Sequence, residues 1–137
     1  MSTSIQLSVA QRNAILDAME VEAGTDLVIK GFTGARPANV AAANSGTELF
    51  SIVAPADSMA AASGGTKAFN TPLTDASANA SGKCEHWRVY KSDGTTCVWQ
   101  GDASDTVGSG SMKLVEDDLV ATQPVTIATF VITAPGA

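Results

Sequence analysis

Few residues in this chain have the types or spacing that chemistry needs. His86 is the only histidine, which excludes a multi-histidine metal site. Cys84 lies two positions before it and on the same strand face, so the two together offer one thiolate and one imidazole. That falls short of the tetrahedral set of a zinc site, and a strand histidine beside a weakly reactive thiol is the simpler reading. Asp102, Asp105, Glu116, Asp117 and Asp118 form an acidic region, yet the run DASDT at 102–106 lacks the ligand spacing and the distal glutamate of a calcium loop. Solvated charge is the expected role. Carboxylate pairs for glycoside hydrolysis are defined by their separation in space, and with seven aromatic residues in all the walls of a sugar cleft reduce to Trp87, Trp99 and Tyr90. No nucleophile with its base, no metal cluster and no phosphate-binding loop is present in the sequence. The chain is expected not to be an enzyme and to hold neither cofactor nor metal.

Charge limits the partners. The formal net charge is −6, and the 8 basic residues are spread along the chain without clustering. A groove that tracks phosphates needs concentrated Lys or Arg, so direct nucleic-acid binding is not expected. Residues 1–7 carry neither a basic start nor an apolar run. Neither a secretory signal peptide nor a membrane span is therefore expected, and synthesis would be cytoplasmic. The Asn79-Ala80-Ser81 acceptor pattern means nothing without secretion. The composition, 45% apolar and only 16% charged, implies a weakly charged surface rich in Ala, Ser and Thr. A chain of 137 residues fits one domain with its own core, here divided into a helical segment at 1–24 and a β-rich body at 25–137.

The elements that must position these residues follow from pattern. Ser8 is a plausible N-cap, and 9–21 runs without Gly or Pro, so a helix of about three turns is predicted. Val9, Ile15, Leu16 and Met19 share one side, with Arg12 in their midst, while Ala10, Ala14 and Ala18 form a stripe of small residues. Arg12 has two readings: a side chain that snorkels to water over Leu16, or an anchor for a carboxylate on a neighbouring subunit. Strands are predicted at 26–32, 47–53, 66–69, 111–115 and 125–133, the last apolar on both faces. Loops are expected at 33–46 and 73–82, and an acidic turn at 116–122.

The clearest local feature is 83–101, two β-rich runs about Asp93-Gly94, a pair that favours a type I′ turn. That register pairs Tyr90 with Cys97, Val89 with Val98, Arg88 with Trp99 and Trp87 with Gln100. It separates Cys84 from Cys97 by about 20 Å along the sheet, too far for a disulfide. It puts Trp87 and Val89 toward the core and Arg88, Tyr90 and Trp99 on the other face, with Arg88 stacked on Trp99. About seven short strands with long loops predict a mainly β fold, an antiparallel two-sheet sandwich of jelly-roll or immunoglobulin-like type with one N-terminal helix.

Five segments, RNAILDAM at 12–19, ARPANVAAANSGT at 35–47, MAAASGGTKA at 59–68, HWRVYKSDGT at 86–95 and VTIATFVIT at 125–133, together resemble small structural proteins of tailed bacteriophages. The resemblance implies a virion protein, of the kind that cements or decorates an assembled head. Its partners would be the major capsid protein and copies of itself in a dimer or trimer, and it implies no active-site residue. Two regions are candidates for contact with shell or subunit: the helix, through Val9, Arg12, Leu16 and Met19, and the loop, through Arg36, Pro37 and Asn39. The alternative is an adhesion module of a tail fibre or spike, with Arg88, Tyr90 and Trp99 facing a cell-surface glycan.

Overall fold

The computed structural model describes residues 5–137. Helix α1 (Val9–Ala23) begins where the Ser8 hydroxyl accepts the Gln11 N–H at 3.2 Å and ends at Gly24, whose φ of 91° only glycine adopts freely. Leu16 and Ala23 face inward, but the joint between helix and sheet is largely polar. Lys67, 3% exposed, pairs with Asp17 at 2.6 Å and with Glu20 at 2.8 Å, two carboxylates that lie on one helix face. Asn13 Oδ1 accepts the Gly65 N–H at 2.8 Å. Arg12 is buried, and its guanidinium donates to the Ala134 carbonyl at 3.0 and 3.3 Å and to that of Gly65 at 3.5 Å. It therefore does not snorkel to water, and its guanidinium is held by the chain's own carbonyls.

The strands are β1 (Val28–Phe32), β2 (Glu48–Val53), β3 (Thr66–Ala68), β4 (Leu73–Asp75), β5 (Gly82–Lys83), β6 (His86–Tyr90), β7 (Cys97–Asp105), β8 (Met112–Leu114), β9 (Asp118–Leu119) and β10 (Val125–Thr133). The fold is mainly β with one helix, and β10 occupies the nine residues its pattern predicts. Short strands β4, β5 and β9 stand where loops and an acidic turn were expected. The main sheet runs β2-β1-β6-β7-β8-β10-β3, with β4 also on β10, and β5 and β9 form a separate ribbon.

The sheet is mixed rather than antiparallel throughout, because β7 and β8 run parallel, Ala103 beside Met112 and Asp105 beside Leu114. Parallel neighbours ordinarily need a long crossover, and here the link is only residues 106–111. Glycine makes it possible. A Cβ on Gly110 would stand 2.6 Å from the Ala103 carbonyl carbon and the Ser104 nitrogen, so the returning chain lies directly against β7. The Ser104 hydroxyl accepts the Gly110 N–H at 3.0 Å, and the Asp105 carboxylate accepts those of Val107 and Gly108 at 3.1 and 3.0 Å.

The sheet also curls. Trp87 on β6 meets Phe130 on β10 edge-on with ring centroids 4.6 Å apart, although two strands lie between them; in a flat sheet the separation would be about 14 Å. Phe130 stacks on Phe69 at 4.4 Å, and Phe69 meets Trp99 at 6.2 Å. At the opposite margin Ser51 N–H donates to the Asp75 carboxylate at 3.2 Å and Asn79 N–H to the Leu49 carbonyl at 2.7 Å, which covers the free edge of β2. The result is a half-barrel around Ile29, Leu49, Val89, Met112, Leu114, Ile127 and Phe130, all buried.

The β6–β7 hairpin pairs Tyr90 with Cys97 as predicted, but a bulge beyond that pair shifts the rest. Val89 faces Trp99, Arg88 faces Gln100, Trp87 faces Gly101 and His86 faces Asp102. The turn is a longer loop rather than type I′: Lys91 N–H donates to the Thr96 carbonyl at 2.9 Å, and of Asp93 and Gly94 only the glycine has positive φ. Asp93 holds the loop by accepting from the Thr96 hydroxyl, Thr96 N–H and Thr95 N–H, bonds that draw its pKa down from 3.8 to about 2. Gly101 leaves room for the Trp87 ring, which a Cβ would meet at 2.6 Å. Cys84 and Cys97 are both free thiols.

Phe130, 1% exposed between Phe69 and Trp87, is the joint that closes the half-barrel. Phe130→Ala is expected to lower the unfolding free energy by about 3–5 kcal/mol, read from the urea midpoint at unchanged slope.

Candidate functional site

β1 and β2 are neighbours in the sheet, yet the chain between them is long. Its ends are held together, Thr33 N–H donating to the Thr47 carbonyl at 3.1 Å and Thr47 N–H to the Thr33 hydroxyl at 2.9 Å. Between them residues 34–46 fold down over the outer face of β6 and β7 as a strap.

Strand alternation supplies the face that receives it. His86, Arg88 and Tyr90 project to one side of β6, and the bulged register sets Gln100 and Asp102 beside them on β7. Each of these side chains holds part of the strap. His86 Nδ1–H donates to the Gly34 carbonyl at 2.7 Å, while the Glu85 carboxylate accepts the Gly34 N–H at 2.7 Å. Arg36 pairs with Asp102 at 2.6 Å, and Gln100 Nε2–H donates to the Pro37 carbonyl at 2.8 Å. Arg88 donates to the carbonyls of Val40 at 2.7 Å, Ala42 at 3.0 Å and Asn39 at 3.4 Å, and to Asn44 Oδ1 at 2.5 Å. The Tyr90 hydroxyl also donates to Asn44 Oδ1. Within the strap, Asn39 Oδ1 accepts the N–H groups of Ala41 and Ala42, both at 3.0 Å.

Arg88 is 1% exposed, and among the described residues no carboxylate pairs with it. Converging carbonyl dipoles take the place of a counterion, and they come from the strap alone. Burying the cation and folding the strap are therefore one event. Tyr90 lies beneath the guanidinium, 5.9 Å from ring centroid to Arg88 Cζ, and burial raises its pKa. His86 is stacked on Phe32, centroids 5.2 Å apart and planes 11° from parallel. Burial lowers its pKa, with Arg88 adding to the effect and the Gly34 bond opposing it.

The arrangement holds a loop rather than a reacting group. His86 commits Nδ1 to Gly34, and its Nε2 is buried without a partner. The Cys84 thiol contacts the His86 backbone carbonyl rather than the ring, and burial pushes its pKa up to about 12, so the pair forms neither a metal site nor a nucleophile with its base. Burial also raises the pKa of Cys97. Glu116, Asp117 and Asp118 bring carboxylates within 4.8 Å of one another where the chain enters β9, with Glu116 and Asp118 exposed and Asp117 half-buried. Among the described residues no helix is long and apolar enough to cross a membrane.

Of the sequence candidates, Arg36 and Asn39 lie exposed on the strap, and Pro37 is half-buried. On α1, Val9 is exposed, and Met19 lines a groove of about 700 Å³ with Ile15, Ala18, Val98 and Trp99, bounded by the Lys91–Glu22 ion pair at 2.8 Å. Arg12 and Leu16 are interior. Arg88, Tyr90 and Trp99 do not form one exposed face, since Arg88 and Tyr90 are buried under the strap and the bulge turns Trp99 toward Phe69. Sequence reasoning did not assign His86, Gln100 or Asp102 to holding the strap. Their signal was a row of polar residues on one face of a hairpin otherwise rich in apolar ones.

No protein-family model, curated protein or solved structure matches this chain. Fold and site together define a small mixed-sheet half-barrel that carries a strap pinned by side chains.

Arg88→Met keeps the apolar stem but removes all four bonds to the strap. Each is worth about 1 kcal/mol, so elastase cleavage within 38–43 is expected to accelerate at least about tenfold. Mass spectrometry of early digests locates the cut.

Proposed function

We propose that this chain is a non-enzymatic structural component of a larger assembly, a cement or decoration protein that binds the assembled head of a tailed bacteriophage. Its partners are the major capsid protein and further copies of itself. The virion setting is supported by the resemblance of the five segments described above.

The observation that carries the reading is the outer face of the strap. Ala35, Ala38, Val40, Ala41 and Ala43 are exposed there, on a backbone held from below by His86, Arg88 and Gln100. Alanine has no rotamer freedom to lose on docking, and a backbone already fixed loses little more, so a small apolar area yields more affinity than a loose loop would. Arg36, the charged residue of the strap, already has Asp102 as its partner, which lowers the cost of bringing this face against another surface. Val9 and the groove beside Met19 form a second area for contact. The glycan-binding alternative loses its platform, because Arg88 and Tyr90 do not reach the surface that Trp99 borders.

Two measurements test this reading. Purified particles should contain the chain at high copy number by gel densitometry, whereas a few copies per particle would favour a fibre or spike. Ala38→Glu combined with Ala41→Glu is expected to reduce occupancy on particles at least about tenfold, since two charges would be desolvated at the contact, with a melting temperature close to that of the parent. Full occupancy would remove the strap from the interface.

A further inference from the structure

We infer that the strap is an acid-releasable element whose pin is His86. The release concerns the strap alone; only its consequence for docking rests on the function proposed above.

His86 is fully buried and joins the strap through Nδ1–H to the Gly34 carbonyl at 2.7 Å, while Nε2 is buried and faces no partner. In the neutral ring Nε2 is a lone pair, which tolerates an apolar neighbourhood. Protonation converts it into a buried N–H without an acceptor and adds a positive charge to the face where the Arg88 guanidinium already lacks a carboxylate.

The groups around the ring do not cancel this. Phe32, stacked on it from β1, is uncharged. Asp102 on β7 is paired with Arg36 of the strap, and Glu85 is bonded to the Gly34 N–H. Burial is the largest influence and disfavours the charged ring, as does Arg88; the Gly34 bond and the two carboxylates favour it without overcoming burial, so the net pKa lies below the ordinary 6.5. The neutral form is thus bound preferentially by the closed strap, and in the open state the ring titrates normally. Stability of the closed strap is complete above pH 6.5 and declines as pH falls from there toward the depressed value. Over that window the opening constant rises by at most about tenfold for each pH unit.

Hydrogen exchange on the intact protein, corrected for intrinsic rates, tests this directly. Between pH 7.5 and pH 5, amides of residues 35–44 should lose protection by up to roughly 30-fold, well beyond any change in β10, and His86→Gln should abolish the dependence. An NMR titration of the wild-type imidazole should give a midpoint below 6.5 and decides the matter even where the variant does not fold. A midpoint at or above 6.5, a loss of protection in the strap no greater than in β10, or a pH dependence retained in His86→Gln would overturn the inference. Particle binding at pH 7.5 and pH 5 then reads the consequence separately, so that unchanged binding alongside acid release would count against the docking role alone.

Discussion

A guanidinium removed from water without a carboxylate is among the more demanding groups a small protein can bury, and the outer face of this one is organised around meeting that demand. Arg88 sits centrally on β6, and the oxygens that its two terminal nitrogens reach belong to the residues between β1 and β2, while its Nε is buried without a partner. A connection between adjacent antiparallel strands would otherwise be a tight turn or a mobile excursion. Here it is long because it must cross the neighbouring hairpin and turn its carbonyls downward. His86, Gln100 and Asp102 each hold a different point of the same path, which leaves the small side chains of the strap facing out.

The same division recurs at the other end of the molecule. Apolar burial is concentrated in the half-barrel, around Phe130 and its aromatic neighbours, while α1 is attached mainly through Lys67, Arg12 and Asn13. The inward use of Arg12 parallels that of Arg88, since both cations end on main-chain carbonyls of the same chain. Such joints specify one position, because a donor array must meet fixed acceptors, whereas an apolar face can slide. The peripheral elements thereby keep a defined shape without consuming core-forming residues.

Much of this architecture was legible in the residues, and the failures have identifiable causes. Ser8 and Gly24 bounded the helix closely, and the two-faced apolar run at 125–133 located β10. Asp93-Gly94 located the hairpin and its first pair, but a bulge inserts one residue without any local marker, and it moved Trp99 to the core side. That single shift separated the three proposed glycan-contact residues. The parallel β7–β8 pair was hidden because short glycine links ordinarily join antiparallel strands, and only the collision that a Cβ on Gly110 would cause explains the exception. The site was legible as a segment, 34–46, and as single residues such as Arg88. What joins them is contact between residues more than forty positions apart, which no spacing rule encodes.

The central claim is that the strap is an ordered part of the fold at neutral pH. Backbone 15N relaxation of residues 35–44 at pH 7.5 measures this on the free protein. Order parameters of about 0.8 or above, matching those of β6 and β7, are the predicted result. Values below about 0.6 across the segment, with β6 and β7 rigid, would mean that Arg88 does not hold the strap, and would contradict the account.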